Sequence, residues 1–402
     1  MASEPPAYQP FLQRNLKRTY HNLLAAGRVF GVVPWDIEPF ECVPDSVQLC
    51  RFKKFLRATN VVYSVSIIVA VCVGTLWHQS VPVSIDFFAI RTLYLAEHVI
   101  VNVIVLLAMV TCWRLRSTYP TVGSELLATG ERLYVCEGSI DFHQAETTIQ
   151  KLEFGSLLYV CAVVMMDFLF IGDSSCNLVC RTLVYTLPST IHVFALQQYV
   201  GMHLVVYYYF RAINSVLTLC EDLNCKKAPK CADLLEVLRS VHLRLSNLIV
   251  QVNDCFGPLT VCTVLSSFVV LTLQLFSLYK ATSGKRSWSS NDSLRLVYSL
   301  LWIGLHSAKV LLILCPAHRA RLERDRTGTV LYRFASQQVS AASTNDVLML
   351  FAGQLLHGKG HCKACGLITL DLTLISKIVA ALTTYLVILI QFDSAFSVEG
   401  SK

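Results

Sequence analysis

Seven stretches of about 20 mostly apolar residues leave this chain little choice but to fold in a lipid bilayer. They run 58–77, 93–113, 154–172, 182–210, 256–279, 294–315 and 366–392. In hydrocarbon a segment has to satisfy its own backbone amides, so each stretch is read as a transmembrane α-helix. Composition agrees. Of 402 residues 54% are hydrophobic and 15% charged, against roughly 25% charged in a soluble domain. No cleavable leader is expected, because the first apolar stretch begins only near residue 58, after eight Lys and Arg.

The distribution of charge orients the helices. With the N-terminus in the cytosol, 25 of the 34 Lys and Arg fall in cytosolic segments and five outside. The net charge of +7 is therefore spent on topology, and no nucleic-acid partner is expected. The sequon Asn291-Asp292-Ser293 falls in a segment that this orientation puts outside, where glycosylation takes place. Sixteen cysteines are scattered mostly through spans and cytosolic segments, where thiols stay reduced. Cys176 and Cys180 share an outside loop and leave a local disulfide open.

The closing stretch is the most informative. Lys377, Ala381, Thr384, Ile388 and Gln391 recur at spacings of 4, 3, 4 and 3, which places them on one helix face. A polar stripe on a spanning helix faces water or protein, because polar groups in lipid are costly. Periodicity leaves two readings: packing inside one subunit, or lining a pathway. Outside the spans, Leu234, Leu238, Val241, Leu245, Leu248 and Val252 make an amphipathic seam, and residues 345–357 a second, shorter amphipathic helix.

Polar residues inside the other spans cluster in depth. Glu97 and His98 of the second span, Asp167 of the third and His192 of the fourth fall in the outer half. So do Gln274 of the fifth span and Tyr298 and Trp302 of the sixth. Intramembrane carboxylates mark a water-filled cavity or a paired charge, and either a ligand cavity or a packing pair fits the pattern. Catalysis has no support: the chain holds no HExxH, GxSxG or phosphate loop. His357, His361, Cys362 and Cys365 lie too close together to wrap one zinc ion. No metal or other cofactor is expected.

Thr384-Tyr385, five apolar residues and Gln391-Phe392 resemble the TYhhhhhQF signature that closes the last helix of insect gustatory receptors. The segment Arg28-Val29-Phe30-Gly31-Val32-Val33-Pro34 is similar to that family's N-terminal (L/V)(F/L)GhhP segment. The resemblance implies an all-α membrane protein: seven helices, N-terminus cytosolic and C-terminus extracellular, assembled as a homotetramer around a central pore. It implies a tastant-gated, non-selective cation channel of the plasma membrane, homomeric or built with related receptors. Glu97, His98, Asp167, His192, Gln274, Tyr298 and Trp302 would border the tastant cavity. Thr384, Tyr385, Ile388 and Gln391 would line the pore, with Gln391 near its outer mouth and Ile388 as the constriction. Members resembling sugar receptors carry Glu after Thr-Tyr, whereas this chain has Leu386, so bitter-type or fructose-type sensing is expected.

The organisation read from these features runs in five parts. A cytosolic segment covers 1–57, six helices with the cavity 58–315, and a cytosolic anchor 316–366. The pore helix spans 367–393 and an outside tail 394–402. In the family the inner ends of the last helices join four subunits, the part expected of both amphipathic helices here. The partners expected are a small-molecule tastant, cations, lipid and further subunits. A metabotropic seven-helix receptor, which needs the opposite topology, and a transporter, which would show broken helices and repeats, are the other two classes.

Overall fold

The structure is a computed structural model that describes residues 9–36, 47–80, 88–136, 138–170, 179, 182–222, 230–283, 290–336, 342–358 and 363–399. Cys176, Cys180, His361 and Cys362 lie outside the described residues, as do the side chains of His98, Asp167 and Asn291. The fold is helical throughout apart from one two-stranded hairpin. In chain order come α1 (Gln9–Val29), α2 (Val47–Ser80), α3 (Phe88–Val135) and α4 (Phe142–Phe170). A π-helical turn (Thr182–Thr186) leads into α5 (Leu187–Asp222), followed by α6 (Lys230–Ser283) and α7 (Ser290–Ser336). Last come α8 (Ala342–His357), the strands β1 (Lys363–Ala364) and β2 (Ile368–Thr369), and α9 (Thr373–Glu399).

Six helices among the described residues are long and apolar enough to cross a membrane: α2, α3, α4, α6, α7 and α9. Helix α5 covers most of the stretch read as the fourth span but is not one of the six. The reason is its position. It packs against α1, α3, α4, α6 and α7, and residues 190–206 are all buried. A helix wrapped by protein need not be apolar on every face, and α5 carries Thr190, His192, Gln197, Gln198 and His203 in that buried run. Tyr119 donates to Gln198 Oε1 at 2.6 Å, and Gln198 Nε2 donates to the Leu23 carbonyl at 2.9 Å. Further along, Asn214 Nδ2 donates to the Glu323 carboxylate at 2.8 Å, and the Thr327 hydroxyl donates to Asn214 Oδ1 at 2.7 Å. Made in protein, such bonds remove the penalty of burying each group.

Helices α3, α6 and α7 have 48, 54 and 47 residues, roughly 70–80 Å of helix where a bilayer core takes about 30 Å. Each contains one proline, Pro120, Pro258 or Pro316, close to where its apolar stretch meets the polar extension. The extensions pack with α1 and α8 at one end of the bundle. On the α6 extension Leu238, Val241, Leu245, Leu248 and Val252 are all at most 3% exposed. That seam is therefore filled within the subunit, by α3, α7 and α8, and does not present itself to another chain. Helix α8 is different: Leu348 and Phe351 face the core, while Met349, Leu350 and Leu356 are exposed.

The N-terminal Gly-Val-Val-Pro segment closes α1. Gly31 takes φ +73°, a conformation that costs an L side chain, while Val32 and Val33 donate back to the Gly27 carbonyl at 2.9 and 3.1 Å. This turn delivers Asp36 into the gap between α2 and α3. Its carboxylate, 2% exposed, accepts from Arg57 at 3.1 Å and Asn60 at 3.3 Å, and pairs with Arg116.

Candidate functional site

Two places in the bundle combine chemistry with exposure or space. The first is a small cavity among α3, α5, α6, α7 and the π-helical turn. Three helices supply most of its lining at helical spacing, and α6 adds Ser266. Glu97, Val101 and Ile104 lie on one face of α3, Ser189 and His192 on α5, and Trp302, His306 and Lys309 on α7. The π-helical turn before α5 brings Tyr185 to the same wall, and Pro188 falls in the first turn of α5, where a missing amide costs nothing.

The groups are deeply buried: Glu97 is 7% exposed, His192 2%, His306 3% and Lys309 1%. Glu97 and Lys309, an acidic and a basic side chain, line the same cavity. His192 Nε2 is 2.7 Å from the Thr263 hydroxyl, whose own hydrogen goes to the Leu259 carbonyl at 2.7 Å. The imidazole is therefore the donor through Nε2, which leaves Nδ1 an acceptor. His306 Nδ1 is buried and has no hydrogen-bond partner among the described residues. Trp302 roofs the group, edge-on to Tyr185 at 6.3 Å and to Tyr298 at 6.1 Å, and tilted over His306 at 5.9 Å. The space is about 10 Å³, room for about one water.

Of the residues the sequence singled out, Glu97, His192 and Trp302 meet here. Tyr298 supports Trp302 from outside the wall, and Gln274 lies about two turns beyond Ser266 on α6, away from the cavity. Sequence reasoning missed His306, Lys309, Tyr185 and Ser266. The spacing of Trp302, His306 and Lys309 was a usable signal, a stripe of three polar or aromatic residues on one face of an apolar helix.

The second place is the outer surface of α9. Only 6% of its apolar window is buried within the subunit. Its seam against α6 is Leu382 and Leu389, with Ile378, Leu386 and Asp393 half-buried beside them. Tyr385 sits at the edge of that seam, its ring 5.4 Å from Phe268. Asp393 pairs with Lys280 at 2.8 Å near the far end of both helices. At about 100° per residue, Thr384, Ile388 and Gln391 point away from the seam, and all three are exposed. Lys377 is exposed near the start of the helix, two turns below Thr384.

The start of α9 is fixed locally. Asp371 caps it, accepting from the Thr373 amide at 3.1 Å and from the Thr373 hydroxyl. The hairpin just before it turns at Cys365 and Gly366, at φ +51° and +69°, and lies against Gly257 of α6. A Cβ on Gly257 would come within 3.1 Å of the Cys365 amide nitrogen, so the approach depends on its having none.

Residues 21–396 match the 7tm chemosensory receptor family. Putative gustatory receptor 2a of Drosophila melanogaster is 30% identical over 216 residues, 47% of this chain and 47% of that protein. The gustatory receptor for sugar taste 43a of the same species is 28% identical over 160 residues, 40% of this chain and 36% of that protein. The chain thus matches about half or less of the length of these relatives. The fold resembles the insect olfactory receptor OR5 from Machilis hrabei, with a TM-score of 0.67 at 10% identity over 94% of this chain and 99% of that one. The same receptor in complex with eugenol gives a TM-score of 0.56 at 8% identity.

Proposed function

Because the chain belongs to the 7tm chemosensory receptor family, we propose that it is a gustatory receptor working as a tastant-gated, non-selective cation channel. Seven helices would cross the plasma membrane, α5 as the shielded fourth, with the N-terminus cytosolic and four subunits around α9. One observation carries this reading above all: α9 is the most apolar kind of helix, yet it leaves Thr384 and Gln391 exposed on the face turned away from its own subunit. In lipid the Gln391 amide would be penalised, while the Thr384 hydroxyl donates to the Ala380 carbonyl at 3.0 Å and keeps its oxygen free to accept. Around a central axis they become polar rings flanking an apolar ring at Ile388, an arrangement that gates by dewetting and hydrates cations without fixed charge. Lys377 would lie near the cytosolic mouth, where its ammonium reaches water.

The buried cavity is the proposed tastant site, with Glu97, His192, Trp302, His306 and Lys309 as its polar and aromatic groups. His98 and Asp167 stay in the proposal on their sequence depth, and Tyr298 through its contact with Trp302. Ligand pockets usually measure several hundred Å³, so a cavity of about 10 Å³ is too small to hold a tastant without widening. A tastant would have to displace the Trp302, Tyr185 and Tyr298 rings, and its preference for the widened arrangement would shift the gate towards open. Binding of eugenol by the olfactory receptor supports a small-molecule ligand. Leu386 argues against the main sugar group, while the sugar-taste relative keeps a fructose-type ligand beside a bitter one.

The direct test is to express the full chain alone and record current while bitter compounds and fructose are applied. Ligand-evoked current reversing near zero potential supports the reading. A second-messenger response without current would move it to a metabotropic receptor.

A further inference from the structure

A lateral groove of about 570 Å³ runs between α4 and α7 over the back of α5. Its walls are apolar, from Leu152 on α4, Leu204 on α5, and Leu305 and Leu312 on α7. Two exposed cations also line it, Lys151 near the start of the α4 wall and Arg319 at the end of the α7 wall, and among the described residues neither makes an ion pair or a hydrogen bond. Along α7 the distance from Leu305 to Arg319 is roughly 21 Å, somewhat more than the half of a bilayer core that one leaflet fills. The groove thus has the length of an acyl chain, with positive charge at the level of a headgroup.

We propose that this groove docks an anionic phospholipid of the cytosolic leaflet, its phosphate against Lys151 and Arg319 and one acyl chain along the apolar wall. The placement rests on the cytosolic N-terminus proposed above, which puts the Lys151 end of α4 at the inner surface. Anionic lipid is concentrated in that leaflet, and a Lys or Arg near its surface draws it in. The wall beyond the two cations is mostly apolar, with Ser156, Tyr159 and the buried Lys309 as its polar members, which suits an acyl chain better than a soluble anion. The groove also shares a wall with the tastant cavity. Lys309, 1% exposed, lines both, so an occupied groove and a widened cavity compete for or support the same side chain.

Gly155 offers a way to test occupancy without disturbing the fold, because a Cβ there would meet nothing within 4 Å. Purified full-length protein is placed in nanodiscs of phosphatidylcholine with one fifth phosphatidylserine, and the lipid retained after mild detergent extraction is measured by native mass spectrometry. The proposal expects the ratio of phosphatidylserine to phosphatidylcholine in the retained lipid to exceed that of the bilayer by roughly thirtyfold, two surface cations being worth about 1 kcal/mol each. Lys151→Gln with Arg319→Gln should abolish the enrichment, and Gly155→Leu should lower retention of both lipids. Glycerophosphoserine, the headgroup without chains, should fail to displace the bound lipid. Equal retention of both lipids, unchanged in the variants, overturns the proposal, as does spontaneous cross-linking of Gly155→Cys subunits, which would mean that a second copy covers the groove. A tag placed after Lys402 reports orientation separately. If it lies inside, the topology has failed, whatever the lipid result.

Discussion

Asp36 and Glu97 are both carboxylates under 10% exposed, and the bundle handles them in opposite ways. Asp36 is saturated by Arg57, Arg116 and Asn60, and its work is to tie α1 to α2 and α3. Asp36→Ala should lower the stability of the purified protein by about 2 kcal/mol, the scale of a buried charge-assisted bond lost with its partners left behind. A melting temperature unchanged in the variant would show that the two arginines find other partners. Among the described residues Glu97 has no such cluster, and His306, on the same cavity, keeps an unpaired ring nitrogen. A set of polar groups left partly unsatisfied around a small space is what a ligand can complete. Trp302→Ala should therefore raise the half-maximal tastant concentration by about tenfold, a central aromatic contact being worth 1–2 kcal/mol. Surface expression should not change. Equal loss of expression and response would mean that Trp302 only packs.

Among the elements, α9 depends on how it begins. The Thr373 hydroxyl, then the Thr373 amide and the more distant Arg321 and Lys377, hold the Asp371 carboxyl below its ordinary range. Since the folded value is the lower one, the cap's contribution is complete above the ordinary carboxylate range and is lost as pH falls through the lowered value. Asp371→Asn keeps an acceptor and should remove this acid dependence. Asp371→Ala should cost about 1 kcal/mol. Hydrogen exchange at amides 373–377 checks both, and protection equal to the wild type in Asp371→Ala would rule out the cap. The elements also show which patterns a sequence can convey. The stripe Thr384, Ile388, Gln391 was legible because a helix that packs on one side only repeats cleanly. The α6 seam was equally legible as a seam, but its partner was not: Leu238 and Val241 are fully buried, and α6 packs on α3, α7 and α8, elements more than a hundred residues away in part. Helix α5 lost its apolar signature because protein, and not lipid, surrounds it.

For the molecule as a whole, helix content and the order of the long helices followed from apolar runs and charge counts. The cavity did not follow as fully. Depth brought Glu97, His192 and Trp302 together, but depth says nothing about rotation, so Gln274 was grouped with them although it does not line the cavity, and Lys309 was passed over. Orientation in the membrane is a further expectation with a simple check. A tag after Lys402 should be labelled on intact cells, and labelling only after permeabilisation would reverse the topology. The central claim is that four copies of α9 line an ion path with the Thr384, Ile388, Gln391 face inward. Single cysteines on a background that conducts allow it to be tested during recording, with a small charged thiol reagent. The account predicts block at 384, 388 and 391 and none at 379, which is exposed on a different face. Block at 379 with none at 388 would contradict it.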